Sequence, residues 1–214
     1  MKKLLMCIAS FYALYTYLQE LVSTTITPKN VLIEEFTAIG CGNCPTGHSN
    51  VKGLEIEYPN RIVSIRLHHG GLVTPNGQSA DLRSDFSSSL ASQAQAVDQP
   101  LATINRHLFD GYNKLALSLS NWQNSYQLIL NQNSIVNLGA IAVLDTNSRI
   151  VVITVEIYYT GTQSASTNQL NIALLQNNII APQSNYNQNI EHNFFIGTGM
   201  YEHMHVLRHL ITGQ

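Results

Sequence analysis

The segment VLIEEFTAIGCGNCPTGH, residues 31–48, places two cysteines three positions apart where an apolar, β-branched run meets the start of a helix. The run VLIEEF is typical of a buried strand. Pro45 suits the first turn of a helix, because the N–H that proline lacks has no partner there. A second apolar run, RIVSIRL at 61–67, follows the helix. This order of strand, helix and strand predicts a βαβ unit with parallel strands.

The two cysteines, Cys41 and Cys44, have the spacing of a redox pair. A Cys-x-x-Cys motif between a strand and a helix is the context typical of thiol-disulfide exchange. The free N–H groups and the dipole of a helix N-terminus stabilise a thiolate. We therefore predict that Cys41 is the attacking nucleophile and that Cys44, nearly one turn further on, is the resolving thiol.

The N-terminus has the composition of an export signal. Lys2 and Lys3 precede a mostly apolar run, residues 4–18, which is short for a membrane-spanning helix of about 20 residues. We predict a signal peptide at residues 1–23, removed together with Cys7, and an exported protein of the periplasm, outer membrane or cell surface. An uncleaved N-terminal anchor is the alternative. In an oxidising compartment the two remaining thiols are expected to form a disulfide.

The charge pattern argues against nucleic-acid partners. The 214 residues include 11 Lys and Arg against 13 Asp and Glu, and no basic stretch is present. The positive surface that nucleic-acid binding needs is therefore missing. No phosphate-binding loop or serine-hydrolase motif occurs, and we expect no cofactor.

Periodicity divides the rest of the chain into two regions. Residues 24–133 alternate strand-like and helix-like segments, whereas residues 136–214 consist of strand-like segments and turns. We predict an α/β domain followed by a mostly antiparallel, sandwich-like β domain. A GAIAVL run is followed by the clearest alternation of side chains in the sequence, and together they predict a hairpin. One face of the second strand of this hairpin holds Val151, Ile153, Val155, Ile157 and Tyr159.

The cysteine motif resembles the active site of thioredoxins. VLIEEFTAIGCGNC carries an acidic residue, a phenylalanine and four more residues before Cys-Gly-x-Cys. The resemblance implies a thioredoxin-like fold for residues 24–133 and gives Glu35 the place of the family's buried carboxylate, which moves protons to and from the second cysteine. Burial would raise the pKa of this carboxyl, as a proton shuttle requires. A buried Glu34, or two solvated glutamates, are the alternatives.

A proline that faces the disulfide is the second feature of the resemblance. The bond between Gln99 and Pro100 precedes the strand-like segment LATINR and is the candidate cis-proline. The resemblance implies that the backbone of Gln99 pairs with substrate and that Pro100 keeps metal away from the thiols. An ordinary trans proline in a loop is the alternative.

Three differences separate this sequence from thioredoxins, namely Gly40 before the first cysteine, Asn43 within the motif and a long loop at 68–80. The segments VLIEEFTAIGCGNCPTGH, QPLATINR and YEHMHVLR, in this order, resemble more closely the twenty-eight-kilodalton outer-membrane protein family of Gram-negative bacteria. That family pairs an exported thioredoxin-like domain with a β-rich domain. Its members continue for further strands beyond the third segment, so the second domain here is either incomplete or covered at its edge by a partner.

These features support two functions of different class. The first is an exported thiol-disulfide oxidoreductase that acts on exported proteins bearing thiols or disulfides and associates peripherally with the outer membrane. The second is an outer-membrane-associated surface, adhesion or binding module whose disulfide is inert. The direction of exchange and the oligomeric state do not follow from the sequence.

A zinc site is the less favoured alternative. Cys41, Cys44 and His48 fall on one helix face, and His68 and His69 end the neighbouring strand. Such a site needs both thiols reduced in an oxidising compartment. We therefore predict no metal, with His48 on the helix surface and His68 and His69 in a loop.

Two further histidines, His203 and His205, share one face of a predicted strand near the C-terminus. Two histidines alone are weak evidence for a metal site. We predict that both face solvent.

Overall fold

The computed structural model describes residues 20–75, 77, 79–162, 167–187, 194–197 and 199–213. The predicted signal peptide therefore lies almost wholly outside the described residues. Within the described residues there are three helices and ten strands. None of the described helices is both long enough and apolar enough to cross a membrane.

Helices and strands are mixed in the first region of the chain, whereas the described part of the second region contains strands only. The protein is thus a mixed α/β protein with a high strand content. In chain order the elements are β1 (Val31–Thr37), α1 (Cys44–Glu57), β2 (Ile62–His68), α2 (Ser87–Ala94), β3 (Leu101–Ile104), β4 (Leu117–Ser118), α3 (Leu119–Leu130), β5 (Val136–Asp145), β6 (Ile150–Tyr159), β7 (Ala173–Gln176), β8 (Ile179–Pro182), β9 (Met200–His203) and β10 (Val206–Leu210).

The largest sheet among the described residues is open and has the strand order β4-β3-β1-β2-β10-β7. Strand β1 pairs in parallel with β2, as the βαβ prediction requires, and antiparallel with β3. Helices α1 and α3 cover one face, where Trp122 is fully buried and its indole N–H donates to the Leu117 carbonyl at 3.0 Å. Helix α2 covers part of the other face through Leu90 and Ala94. The central strand β1 is therefore buried on both sides.

The second region differs from the separate sandwich-like domain that the sequence predicts. Strand β10 joins β2 in parallel, and β7 joins β10 antiparallel, so that both strands extend the first sheet. The physical reason is the apolar character of β10: Leu207 and Leu210 pack with Leu67 and Leu90 in one core. Strands β5 and β6 form the predicted antiparallel hairpin, and β8 pairs with β9.

Helix α1 approaches the sheet very closely at Gly47, which is buried. A Cβ atom at Gly47 would lie 2.7 Å from Oε1 of Glu35, 3.2 Å from the Trp122 ring and 3.3 Å from the Pro100 side chain. Gly53, in the same helix, is exposed, and no described atom lies within 4 Å of a Cβ placed there. The two glycines therefore allow the same substitution to be compared at a buried and at an exposed position of one helix.

We expect Gly47→Ala to destabilise the protein by roughly 1–3 kcal/mol, because the added methyl group overpacks a buried contact. Gly53→Ala should instead stabilise it by roughly 0.5–1 kcal/mol, since alanine loses less backbone entropy in a helix. Urea unfolding followed by circular dichroism measures both changes. Equal stability of Gly47→Ala and the unchanged protein would contradict the close packing of α1.

Candidate functional site

Cys41 and Cys44 form a disulfide in the turn that connects β1 to α1. Cys44 is the first residue of α1, and Pro45 occupies its first turn, as the sequence predicts. Cys41 lies just before the helix, in a turn closed by hydrogen bonds from its own N–H to the Ala38 carbonyl and from the Cys44 N–H to the Cys41 carbonyl. The pair thus sits at the helix N-terminus in its oxidised form.

The disulfide is buried, with Cys41 only 4% exposed and Cys44 0% exposed. Residues 183–186, which follow β8 and which we call the strap, lie against the motif. The Gln183 side-chain amide donates to the Cys41 carbonyl at 2.9 Å and to the Ala38 carbonyl at 3.1 Å. Gln183 is itself buried. The strap is therefore held directly to the backbone of the cysteine turn.

Backbone hydrogen bonds extend this contact along the turn. The Ser184 N–H donates to the Ile39 carbonyl at 2.7 Å, and the Tyr186 N–H donates to the Gly42 carbonyl at 2.8 Å. A Cβ atom at Gly42 would lie 2.4 Å from the Tyr186 ring. Glycine at position 42 thus lets the tyrosine ring rest on the motif, although Tyr186 as a whole is 77% exposed.

The Gln99-Pro100 peptide bond is cis and directly precedes β3, as the sequence comparison with thioredoxins implies. The Pro100 side chain lies beside α1, at Gly47. The Gln99 side chain donates to the His69 carbonyl at 2.6 Å. The backbone N–H of Gln99 donates to the Asp98 carboxylate at 2.8 Å. The backbone N–H of Gln99 is thus already bonded within the chain, and the role of the two residues in a substrate groove stays a prediction.

Glu35 is fully buried and lies beside a guanidinium. Arg66, its register partner in β2, places Nε 3.5 Å from Oε2 of Glu35. His48 of α1 places Nε2 3.8 Å from Oε1. Glu34 alternates to the other face of β1, where it pairs with Arg106 and accepts a hydrogen bond from Thr103 at 2.8 Å. Of the two glutamates, Glu35 is the one on the α1 side.

Glu35 belongs to a buried polar cluster that the sequence analysis missed. His48 joins its parts: Nε2 is hydrogen-bonded to Oγ1 of Thr37 at 3.0 Å, and Nδ1 to the hydroxyl of Tyr201 at 2.8 Å. The cluster therefore connects β1, β2 and α1 to strand β9. Its members, all at most 2% exposed, are Glu35, Thr37, His48, Arg66, His68, Tyr201 and His203.

Aromatic contacts complete the cluster. The rings of His68 and His203 meet edge to face, with 5.5 Å between their centroids. The Arg66 guanidinium lies over the Phe194 ring at 5.7 Å, a cation–π arrangement. Phe194 in turn packs against the Tyr201 ring at 5.4 Å. These contacts surround the pair of Glu35 and Arg66 with apolar and aromatic atoms.

Burial controls the charge of the three histidines. Loss of solvation holds the pKa of His48 and of His68 well below the ordinary value, with smaller contributions from Arg66 and the other imidazoles. Burial and, next, Arg66 lower the pKa of His203 to about 4. All three imidazoles are consequently neutral at pH 7 and act as hydrogen-bonding and packing groups.

The positions of these histidines correct the sequence analysis. His48 is not on the helix surface, and His203 does not face solvent, because both are fully buried. His68 ends β2 in the core, and His69 packs edge-on against Phe36. The sequence feature that could have revealed the cluster is the strand alternation of Glu35 with Thr37 and of Tyr201 with His203.

The structure gives no support for the zinc alternative. The two sulfurs are bonded to each other. Among the described residues, no three His, Cys, Asp or Glu side chains converge as metal ligands. His205, between β9 and β10, lies 3.6 Å from Glu55 instead.

Two solved structures share the fold. HBP35 of Porphyromonas gingivalis is 18% identical with a TM-score of 0.56 over 86% of this chain and 56% of that chain. Protein AGR_C_4864 from Agrobacterium tumefaciens is 12% identical with a TM-score of 0.51 over 87% of this chain and 73% of that chain. The chain thus spans little more than half the length of HBP35. Likeness at these identities concerns the fold alone.

The sequence itself matches a family of outer membrane proteins. No curated protein is significantly similar in sequence to this chain. The family described as Outer membrane protein Omp28 matches residues 87–214, which is more than half of the chain. The matched segment includes the strap, which holds the cysteine turn, and strands β7 and β10, which extend the main sheet. The chain therefore belongs to the Omp28 outer membrane protein family, and the protein is exported to the outer membrane or cell surface.

Proposed function

We propose that the protein is an outer-membrane-associated surface module in which the Cys41–Cys44 disulfide is inert. The observation that carries this proposal is the burial of both cysteines, which pack with Ala38 and Val73 in one cluster while the strap holds the backbone of their turn. Thiol-disulfide exchange requires that an attacking thiolate reach a sulfur atom, and a buried sulfur is out of reach. Family membership supports the location of the module at the cell surface.

We also propose that the scaffold of this module is thioredoxin-like. The order β4-β3-β1-β2, with β1 and β2 parallel and the other pairs antiparallel, supports this assignment. The disulfide at the start of α1 and the proline before β3 support it as well. A fold of this type hosts binding proteins as well as enzymes, so the fold alone does not decide the activity.

Reduction of the disulfide tests the inert assignment. The folded protein is equilibrated in graded thiol–disulfide buffers, and free cysteines are then trapped by alkylation. We expect the bond to remain oxidised below about −300 mV, as structural disulfides do. In denaturant, where the cysteines are no longer buried, the same bond should be reduced readily. Reversible titration of the folded protein between roughly −270 and −120 mV, the range of known oxidoreductases, would reject the proposal.

A thiol-disulfide oxidoreductase is the second candidate, and the way the strap is attached favours it. The strap contacts the cysteine turn through hydrogen bonds to backbone carbonyls and through the packing of one largely exposed tyrosine. Contacts of this kind can open without loss of the main sheet. The candidate therefore requires a strap that leaves the motif when a partner arrives.

In this second candidate the cysteines exchange with disulfides or thiols of exported proteins. A small external thiol must first reduce the Cys41–Cys44 disulfide and is itself oxidised to a disulfide. The Cys41 thiolate then attacks a substrate disulfide and releases one substrate thiolate, and Cys44 attacks the mixed disulfide and releases the other. The re-formed Cys41–Cys44 bond balances the two electrons gained by the substrate. Glu35 would move the proton of Cys44, while Gln99 and Pro100 would shape the substrate groove.

Removal of the strap's side-chain anchor separates the two candidates. Gln183→Ala removes two hydrogen bonds, worth roughly 1–3 kcal/mol together, and should speed reduction by dithiothreitol about tenfold or more. Tyr112→Ala, a change at an exposed tyrosine outside the strap, should leave the rate unchanged. Catalysed reduction of insulin by Gln183→Ala would support the oxidoreductase, whereas faster reduction without catalysis supports the surface module. An unchanged reduction rate would show that the strap does not protect the bond.

The buried histidines make folding depend on pH. Between pH 6.5 and about 4, the unfolded chain binds a proton at position 203 that the folded protein does not bind, so stability falls as the pH falls through this window. Over this whole window, His203 changes the free energy of unfolding by roughly 3 kcal/mol. Urea unfolding at several pH values should show this loss, and His203→Gln should reduce it. His107→Gln, at an exposed position, serves as the control; an equal pH dependence in both variants would contradict the assignment.

A further inference from the structure

The β5–β6 hairpin has one face made entirely of apolar side chains. Ten consecutive residue pairs join the strands, from Val136 with Tyr159 to Asp145 with Ile150. Directly opposed residues of an antiparallel pair point to the same side, so every second pair shares a face. We call the following set the apolar face: Val136, Leu138, Ala140, Ala142, Leu144, Val151, Ile153, Val155, Ile157 and Tyr159.

This apolar face is open to solvent in the single chain. Leu144 is 63% exposed and Leu138 is 59% exposed, and Ile157 is exposed as well. The opposite face of the hairpin carries its charged residues, and residues 20–25 contact it there: the Leu21 N–H donates to Glu156 at 2.9 Å. That face also exposes apolar side chains, among them Val143 and Val152, but only the apolar face is free of charged side chains. An exposed face of this composition is the reverse of a stable solvated surface.

The apolar face also lacks the features that protect free strands from pairing. Neither β5 nor β6 contains lysine or proline, and their register runs without a shift over all ten pairs. Natural proteins use charge, proline or a bulge to prevent unwanted contacts of exposed strands. Strands β5 and β6 contain neither proline nor a bulge, and their two charged residues, Asp145 and Glu156, lie on the face opposite the apolar face. The apolar face itself therefore has no such protection, which indicates a surface that is covered in the working protein.

We propose that the apolar face binds the same face of a second copy of this chain, so that two hairpins pack face to face across a two-fold axis. A two-fold interface requires one surface that complements itself, and a flat face without charged groups meets this condition. Two stacked hairpins resemble the two layers of a β-sandwich, which pack about 10 Å apart. The dimer would thus place a second layer against the apolar face of each hairpin.

The available area is sufficient for such a dimer. Five residues of the apolar face are each between 43% and 63% exposed, namely Leu138, Leu144, Val151, Ile157 and Tyr159. Together they expose roughly 500 Å² per hairpin, hence roughly 1,000 Å² for the pair, which reaches the ~1,000 Å² that a specific interface needs. The surface also continues onto the main sheet, because Leu138 lines an apolar cavity of about 410 Å³ together with Leu32, Val63 and Leu170. This cavity offers additional apolar area to the partner copy.

Charge favours a second copy over a lipid surface. Strands β5 and β6 and the turn between them contain one arginine, Arg149, and no lysine, whereas surfaces that bind anionic lipid carry several basic residues. The whole chain has a formal net charge of −2, so two copies repel each other only weakly. The proposal does not depend on the redox state of the disulfide.

Sedimentation equilibrium of the exported chain tests this interface. We expect a dimer at micromolar concentration. Leu144→Lys should weaken it by roughly a hundredfold or more, because the dimer would bury an unpaired ammonium group. The matched control is Val143→Lys: this neighbour lies in the same strand, is 62% exposed and points to the opposite face, so dimerisation should be unchanged.

Further measurements keep the outcome decisive. Circular dichroism checks that both variants fold; if Leu144→Lys does not, the milder Leu144→Ser replaces it. A monomer at every concentration, or a dimer that Leu144→Lys and Val143→Lys affect equally, would overturn the proposal. So would binding of the monomer to phosphatidylethanolamine–phosphatidylglycerol vesicles that only Leu144→Lys abolishes, since this result assigns the face to lipid.

Discussion

The hydrogen bonds that His48 makes to Thr37 and Tyr201 are the interaction on which the rest of the structure depends. They join the cysteine helix, the central strand and strand β9 in the buried interior. Once such groups leave water, each must keep a partner, since an unsatisfied buried polar atom costs roughly 1–3 kcal/mol. The C-terminal strands therefore belong to the same folding unit as the cysteine motif, although they lie more than 100 residues away in sequence.

This linkage explains why the disulfide is covered. Strand β9, held by Tyr201 and His203, pairs with β8, and the strap continues directly from β8 onto the cysteine turn. The neutral imidazoles that fix β9 therefore also fix the position of Gln183. An active thioredoxin-like site needs an accessible first sulfur and a nearby proton carrier. Here the sulfurs are buried, and the carboxylate of Glu35 has a guanidinium beside it.

Local features were predictable from the sequence, and long-range ones were not. Strand β1, helix α1 and strand β2 follow from apolar runs and Pro45, and the hairpin follows from strict alternation in β6. The insertion of β10 between β2 and β7 depends on contacts between distant segments, which periodicity does not report. The histidine cluster was missed for a related reason: a histidine in a polar stretch looks solvated until the partners that bury it are known.

The covered disulfide and the open hairpin together indicate where the protein meets other molecules. Thiol chemistry requires exposed sulfur, whereas both cysteines here are buried with Val73 in the turn that the strap holds. Association requires exposed apolar area, and the hairpin of β5 and β6 offers such area on a face without charged side chains. Covering that face gains free energy, whereas uncovering the cysteines costs free energy. These opposite signs support the proposed surface module over the proposed oxidoreductase, and the match to an outer membrane protein family supports its location.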